Sequence, residues 1–336
     1  MMKKTQFFQW LLFSGLWLIS CKNDEQMMPE PEIINDRIEF PTQQIQGEIG
    51  LLVDGFVEPG PASLTGRGVN DRREITAAPD FELSGNFSDH TRNELIAFHS
   101  QYAPTLMTNV PWSEEQDIIP ITLNERINLP VTFWVIAEPF DEMEQLIIDA
   151  INITNSIWAS EKAGLRIDEI QINDMTSSAD RDQFLNYTCG NNFQLTERIG
   201  FDPTNLNVYY VDAVDFGTGS LTSNGVFCGN NIIGMGRSTT GGLLAHEFGH
   251  AMGLAHPDQF DRNFDNTNVM FSSSRSREYL TEGQTFRQLY SPSSYVSISG
   301  LRTIGDFRIC SHQEESTGGC PSIQKRIWSD GSFSAN

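Results

Sequence analysis

The feature that most constrains this chain is an eleven-residue stretch, HEFGHAMGLAH, which runs from His246 to His256. On an α-helix, residues four apart lie on the same face, so His246 and His250 can offer two imidazole nitrogens to one ion with Glu247 beside it. Gly253 can adopt, at no steric cost, the left-handed conformation that ends a helix. The stretch therefore predicts a helix, a break and a third ligand, His256, that returns to the same ion.

Chance is a poor explanation of this pattern. A bare H-E-x-x-H is expected in roughly one chain in a hundred of this length, and the added Gly and His make it roughly 700-fold rarer. Three of the six histidines in the chain lie in this stretch. A catalytic zinc ion takes three protein ligands and keeps a fourth position for water, so one catalytic Zn²⁺ is the expected cofactor.

The stretch matches H-E-x-x-H-x-x-G-x-x-H at every specified position, and the chain therefore resembles the metzincin clan of zinc metallopeptidases over about residues 126–295. Asn268-Val269-Met270-Phe271 is similar to the methionine turn of that clan. Some members carry an additional tyrosine ligand two residues after this Met, where the present chain has Ser272, so a five-coordinate resting site is not expected. The resemblance implies these roles: ligands His246, His250 and His256, general base Glu247, helix-ending Gly253, and Met270 as an apolar floor.

Hydrophobic periodicity in residues 126–295 predicts an α+β fold. The order resembles a metzincin-like zincin with a mixed twisted sheet, a long backing helix, an active-site helix and a small C-terminal subdomain below the cleft. Ser220–Phe227 is expected at the edge of the sheet, where an extended protein or peptide substrate could pair with it. The other predicted strands are Leu129–Ala137, Leu165–Ile172, Leu206–Val214 and Asn231–Met235; the predicted helices are Asp141–Ser160, one capped at Thr239 or Thr240, and one opened by Thr281 and ending at Tyr290.

Residues 1–20 have the pattern of a lipoprotein signal peptide, in which two lysines precede an apolar run too short to span a bilayer. The run ends in Leu18-Ile19-Ser20-Cys21, which resembles a bacterial lipobox, so Cys21 is the predicted lipidation site and residues 21–40 a tether. Removal of residues 1–20 would remove those two lysines and leave 20 basic and 44 acidic residues, a net charge of −24. Such an acidic surface disfavours binding to nucleic acid. From the predicted lipidation site we expect a protein outside the cytoplasm that is held to the outer membrane only by its lipid. We also expect a monomer.

Two interpretations of residues 41–125 stay open: a structural N-terminal domain, or an inhibitory propeptide that supplies an aspartate to the zinc. A cysteine switch is excluded because no Cys lies between residues 22 and 188. Within this region, Ile49–Val57 is predicted as a strand, and a helix is predicted from Ser88 to a stop near Pro104. Residues 296–336 form a C-terminal extension without recognisable chemistry.

Four cysteines follow the predicted lipidation site, and an even number in an exported chain indicates two disulfides. Locality favours the pairs Cys189 with Cys228 and Cys310 with Cys320 among three pairings. Asp258, Asp261 and Asp265 follow the third histidine, and either a Ca²⁺ site or a polar loop would explain them, although they lack EF-hand spacing.

The predicted function is hydrolysis of peptide bonds in extracellular proteins or peptides by a zinc-dependent endopeptidase, with Glu247 assisting the attack of water. The alternative is an inactive or latent surface lipoprotein that uses a peptidase fold for binding. Glu247 argues against an inactive protein, because zinc binding by three histidines does not need that carboxylate.

Overall fold

The computed structural model describes residues 43–67, 72–85, 94–108, 118–215, 221–222, 224–237, 241–259, 265–273 and 276–302. The predicted signal peptide, the tether, Cys21, Cys310, Cys320 and the proposed helix cap at Thr239 or Thr240 lie outside these ranges. No helix in the described part of the chain combines the length and apolarity needed to cross a bilayer.

The first part of the chain forms an eight-stranded mixed sheet. The strand order is β2-β1-β8-β7-β6-β3-β4, and the sheet curls so that β5 pairs with β1. Strands β1 and β8 run parallel, while the other pairs are antiparallel. The strands are β1 (Gln43–Val53), β2 (Phe56–Pro59), β3 (Ala62–Arg67), β4 (Arg72–Ala77), β5 (Asp80–Gly85), β6 (Glu94–His99), β7 (Tyr102–Thr108) and β8 (Ile118–Glu125).

The prediction of a helix from Ser88 to a stop near Pro104 is wrong from residue 94 onwards, because β6 and β7 form an antiparallel hairpin there; its first residues lie outside the described ranges. Leu95, Ile96 and Ala97 are all buried. Leu95 and Ala97 pack inside the curled sheet, whereas Ile96 packs into the core of the following part of the chain. A strand covered on both faces has a continuous apolar run, which periodicity alone does not distinguish from a buried helix.

The predicted strand Ile49–Val57 is interrupted by a turn. Asp54 and Gly55, which join β1 to β2, have φ values of 49° and 84°. Two successive residues with positive φ are the backbone requirement of a tight hairpin connection, for which Asp-Gly is a favoured pair. The region is therefore a hairpin and not one strand.

The second part is built on a five-stranded sheet of order β12-β10-β14-β18-β17. The first four strands are parallel, and β17 is antiparallel to β18 at the edge. The elements are β9 (Ile127–Asn128), β10 (Val131–Val135), α1 (Phe140–Ser160), β11 (Leu165–Arg166), β12 (Ile170–Asp174), β13 (Asn186–Thr188), α2 (Asn192–Arg198), β14 (Leu206–Val211), β15 (Ala213–Asp215), β16 (Leu221–Thr222), β17 (Gly225–Phe227), β18 (Ile232–Gly236), α3 (Gly241–Ala251), α4 (Glu282–Tyr290) and α5 (Tyr295–Ile298).

The α+β class is confirmed, as are the long helix, the inner strand β18 and the edge position of β17. The capping box is confirmed as well, because the side chain of Thr281 accepts from the Gln284 backbone and that of Gln284 accepts from the Thr281 backbone. Three predicted strands are wrong in extent. Leu165–Ile172 divides into β11 and β12, Leu206–Val214 into β14 and β15, and Ser220–Phe227 into β16 and β17, with β16 in a separate small sheet.

Both faces of the five-stranded sheet are covered at its central strand, β14. All six residues of β14 are buried. Leu206, Val208 and Tyr210 face the core that contains α1 and α3, whereas Tyr209 and Val211 face a second core on the other side. This alternation is the period of two expected for a strand, and burial on both faces explains the continuous apolar sequence of a central parallel strand.

Helix α3 is held against the sheet by α1. The ring of Trp158 on α1 stacks on the ring of Phe248 on α3, with centroids 6.0 Å apart. The curled sheet contacts the same core through α4, where Phe98 lies edge-on to Phe286 at 5.4 Å. The helix that carries His246 and His250 is therefore positioned by packing from several elements.

Candidate metal centre

Helix α3 ends where the sequence pattern predicts a break. Gly253 has a φ of 78°, which is the left-handed conformation. Its N–H donates to the carbonyl of His250 at 2.9 Å, and the N–H of Leu254 donates to the carbonyl of Gly249 at 2.9 Å. These bonds satisfy carbonyls at the helix end and turn the chain back towards its own last turns. His256 is thereby returned to the two histidines of the helix.

The three imidazoles converge through their Nε2 atoms. The Nε2–Nε2 distances are 3.2 Å between His246 and His250, 3.0 Å between His250 and His256, and 3.2 Å between His256 and His246. Tetrahedral ligands at ~2.0–2.1 Å from one ion lie about 3.3 Å apart, so the triangle is close to that of a three-histidine metal site.

The opposite nitrogen of each ring identifies the tautomer. His246 Nδ1 lies 2.7 Å from the carbonyl oxygen of Val269, and His250 Nδ1 lies 2.9 Å from that of Leu254. Since a carbonyl accepts, each Nδ1 carries the proton and each Nε2 keeps its lone pair. Lone pairs that face one another repel, so a cation is the species that fits between the three nitrogens. The three histidines could therefore hold one metal ion.

His256 has a side-chain partner that the sequence interpretation missed. The side-chain amide of Gln259 lies 3.2 Å from His256 Nδ1. When Nδ1 of His256 carries the proton, as in the other two histidines, it donates a hydrogen bond to the amide oxygen of Gln259. The oxygen and nitrogen of a side-chain amide are told apart by such bonds. In the sequence, only its position three residues after His256 indicates that Gln259 could contact this histidine.

Burial keeps the histidines in the neutral form that binds metals. Burial lowers the pKa of His246 to about 2 and that of His250 to about 4. Burial also lowers the pKa of the more exposed His256. The positive charge of Arg277 lowers the pKa of all three further. Without a proton on Nε2, each ring presents a lone pair at neutral pH.

Glu247 follows His246 on α3 and is buried, with 4% of its surface exposed. Burial raises the pKa of Glu247 to about 8, opposed by the charge of Arg277 and a hydrogen bond from the backbone of Phe227. The carboxylate form of this group can accept a proton, and the carboxylic acid so formed can release it. Gly225 on β17 passes so close that a Cβ there would lie 2.6 Å from the Glu247 Cγ.

Met270 packs directly against the helix that carries the histidines. It is fully buried, and a Cβ on Gly249 would lie 2.2 Å from its sulfur. The turn that contains Met270 is held by Asn268, whose side-chain oxygen accepts from the Met270 N–H at 2.9 Å. Gln284 of the α4 capping box in turn exchanges two hydrogen bonds with the Asn268 amide.

The described acidic residues after the third histidine accept hydrogen bonds from Ser272 and Thr267. Asp258 accepts from the N–H and hydroxyl of Ser272 at 3.0 and 2.5 Å, and Asp265 accepts from the N–H and hydroxyl of Thr267, both at 2.9 Å. Asp261 lies outside the described residues. Within those residues, the three histidines are the only group of His, Cys, Asp and Glu placed to hold a metal. Calcium binding stays a prediction.

The predicted disulfide between Cys189 and Cys228 is confirmed, with Cα atoms 5.2 Å apart. Cys228 directly follows β17, and Cys189 lies just before α2. The bond therefore ties the end of the edge strand to the segment that covers the second core.

Comparison with models of protein families gives no match, and comparison with curated proteins gives none. Among solved structures, the chain is similar to one described as "Structure of a chaperone-substrate complex", with a TM-score of 0.30 and 13% sequence identity. The similarity covers 74% of this chain and 39% of that chain, so this chain corresponds to less than half of the other. A similarity with this TM-score carries no argument about fold or function.

Proposed function

We propose that this protein is a zinc-dependent endopeptidase of the metzincin type. The observation that carries the proposal is the convergence of three histidine Nε2 atoms within 3.2 Å of one another, with a buried carboxyl group, Glu247, one residue after His246 on the same helix. Neutral imidazoles are ligands that zinc prefers, and a three-ligand site leaves a position for a reactant. A purely structural zinc site usually has four protein ligands and needs no neighbouring base.

The chain's own groups account for the proton transfers of hydrolysis. Zinc, when bound, acts as a Lewis acid that polarises the scissile carbonyl and lowers the pKa of water. Glu247 accepts a proton from the attacking water as its oxygen bonds to the carbonyl carbon. Glu247 then delivers that proton to the amide nitrogen as the carbon–nitrogen bond breaks, which leaves a carboxylic acid, an amine and an unchanged enzyme.

Strand β17 supports a peptide as the substrate. Asn224 accepts from the Gly236 N–H and Cys228 donates to Ile232, both at 2.9 Å, so these alternate residues face β18. Hydrogen-bonded positions alternate along an antiparallel pair, so Val226 also faces β18, whereas Gly225 and Phe227 direct their backbone groups away from it. These outward groups lie on the side of Glu247, which accepts a hydrogen bond from the Phe227 backbone. The backbone of Gly225 is therefore where an extended peptide can add to the sheet edge.

The curled sheet of residues 43–125 fits a structural role better than that of an inhibitory propeptide. Among the described residues of this sheet, no carboxylate joins the three histidines as a possible metal ligand. Its observed contacts instead reach α4, where the Tyr290 hydroxyl donates to the carbonyl of Pro104 at 3.3 Å and Phe98 packs on Phe286. Attachment to an outer membrane through Cys21 is also part of the proposal, and it rests on the sequence of residues 1–21.

The test compares the whole chain with its Glu247→Ala variant in zinc content and in cleavage of an unfolded protein substrate. We expect one zinc per chain in both, and cleavage only by the unmodified chain. Glu142→Ala, which removes an exposed carboxylate from the first turn of α1, is the matched control and should retain cleavage. Cleavage retained by Glu247→Ala would exclude Glu247 as the base. Zinc without cleavage in any variant would favour the alternative, a surface binding protein.

A further inference from the structure

Arg277 lies beside the metal centre although it is 21 residues away from His256 in sequence. The segment that carries it runs next to the segment that leads into Met270. The N–H of Val269 donates to the carbonyl of Tyr279 at 2.8 Å, and the N–H of Glu278 donates to the carbonyl of Thr267 at 2.9 Å. These two backbone bonds align the segments, so the Arg277 side chain starts level with the methionine turn.

The Arg277 guanidinium joins the two carbonyls on either side of Met270. Its NH1 nitrogen donates to the carbonyl oxygen of Val269 at 2.5 Å and to that of Phe271 at 2.9 Å. These carbonyls belong to consecutive parts of one turn, so a single cationic donor fixes their relative orientation. Bonds from a charged donor are roughly twice as strong as neutral ones.

The Val269 carbonyl is also the acceptor that orients His246. The Nδ1 atom of His246 lies 2.7 Å from that oxygen, and the same nitrogen lies 2.6 Å from Arg277 NH1. Two N–H donors do not bond to each other, so both direct their protons to the shared oxygen, which has two lone pairs. Arg277 therefore contacts the group that sets the tautomer and ring orientation of one histidine.

Helix α3 leaves space for this arrangement. A Cβ on Gly242, in the first turn of α3, would lie 2.7 Å from the Cβ of Arg277 and 3.3 Å from its carbonyl oxygen. The Arg277 backbone thus passes very close to the helix that carries His246. The positive charge of Arg277 attracts Glu247 but is electrostatically unfavourable near a metal ion. An apolar side chain of similar length could fill the same space, so packing alone does not explain an arginine here.

We propose that Arg277 is a positioning residue of the metal centre. By bonding both carbonyls that flank Met270, it holds the methionine turn and keeps the Val269 oxygen where His246 Nδ1 needs it. The site is then arranged before the metal arrives, so less ordering of the ligands opposes binding. This inference rests on the three-histidine metal site of the proposed function but not on peptide hydrolysis.

The experiment measures zinc affinity of the metal-free whole chain by competition with a chromophoric chelator, together with the visible absorption spectrum after loading with Co²⁺. Three variants are compared: Arg277→Met, Arg277→Lys and the control Arg198→Met, which removes an exposed guanidinium on α2. Methionine retains an unbranched stem without donors, whereas lysine retains a cationic nitrogen that donates. Thermal unfolding establishes that each variant is folded.

We expect Arg277→Met to weaken zinc binding by ~10-fold or more, the range found when partners that orient a metal ligand are removed, and to alter the Co²⁺ spectrum. Arg277→Lys and Arg198→Met should stay within ~3-fold of the unmodified chain, below that range. Unchanged affinity and spectrum in Arg277→Met would overturn the proposal. An equal loss in the Met and Lys variants would also overturn it, because the loss would then follow side-chain shape and not donation to the carbonyls.

If Arg277→Met does not fold, Arg277→Lys decides alone: near-normal affinity supports the proposal, and a loss of ~10-fold or more opposes it. An unmodified chain that binds no zinc would refute the metal site and this inference together. An unmodified chain that binds zinc without cleaving peptides would refute only the hydrolytic function, so the two failures are distinguishable.

Discussion

Replacing Gly225 with alanine should remove most of the proposed peptidase activity while leaving the metal centre intact. The added Cβ would lie 2.6 Å from the Cγ and 2.9 Å from the Oε1 of Glu247, and 2.7 Å from the sulfur of Met235. Carbon atoms in contact are normally ~3.5–4.0 Å apart, so the Glu247 side chain must move by about 1 Å. A displacement of that size at a reacting group costs on the order of 100-fold in rate.

The effect on stability should be much smaller than the effect on rate. Overpacking a buried position costs ~1–3 kcal/mol, whereas replacing glycine by alanine in a strand returns ~0.5–1 kcal/mol. The net loss is therefore at most about 2.5 kcal/mol, a fraction of the usual ~5–15 kcal/mol of a folded domain. We expect Gly225→Ala to remain folded at room temperature.

The assay measures kcat/KM on a fluorogenic peptide, with zinc content determined on the same samples. Gly190→Ala is the matched control, because a Cβ there has its nearest contact at 3.3 Å, with the Thr188 hydroxyl. A kcat/KM within ~3-fold of the unmodified chain, which corresponds to less than ~1 kcal/mol of barrier, would refute the argument that this close approach positions Glu247. Loss of zinc in Gly225→Ala would instead place the effect on the histidines.

Two further predictions concern stability. Replacing both Cys189 and Cys228 with Ser should lower the free energy of unfolding by about 4 kcal/mol, the chain-entropy value for a cross-link between residues 39 apart. Urea unfolding measures this change. A loss below ~0.5 kcal/mol would contradict the prediction, because disulfides typically contribute ~2–4 kcal/mol. Gly253→Ala and Gly55→Ala should each lower the free energy of unfolding by ~1–2 kcal/mol, because alanine is strained in the left-handed conformation of these positions. Gly253→Ala should lose more, because its Cβ would lie 2.7 Å from the Ser293 hydroxyl while Gly55 has open space; equal losses in thermal unfolding would argue against this clash.

The histidine stretch could be interpreted from sequence because its geometry is local. Residues 246 and 250 share a helix face, and Gly253 has the left-handed φ of 78° that the spacing requires. The same holds for the capping box at Thr281 and Gln284, whose two hydrogen bonds span three residues. The disulfide between Cys189 and Cys228 was also predictable, but only as the most local of three pairings.

The elements that sequence reasoning missed depend on contacts that are distant along the chain. Leu95, Ile96 and Ala97 form a strand because two different cores cover its two faces, and an apolar run contains no record of how many faces are covered. Arg277 has no motif, since it reaches His246 only through backbone bonds between two segments after the third histidine.

The sequence by itself therefore determined the donor set, the helix that presents two of the donors and the break that returns the third. These depend on the conformation of about eleven consecutive residues. The tertiary structure alone decided the fold of the described residues between 43 and 125 and the surroundings of the donors, including the Gly225 backbone against Glu247 and the guanidinium at the turn that contains Met270. The physical reason is that burial and close approach are properties of pairs of segments, and no single segment encodes its partner.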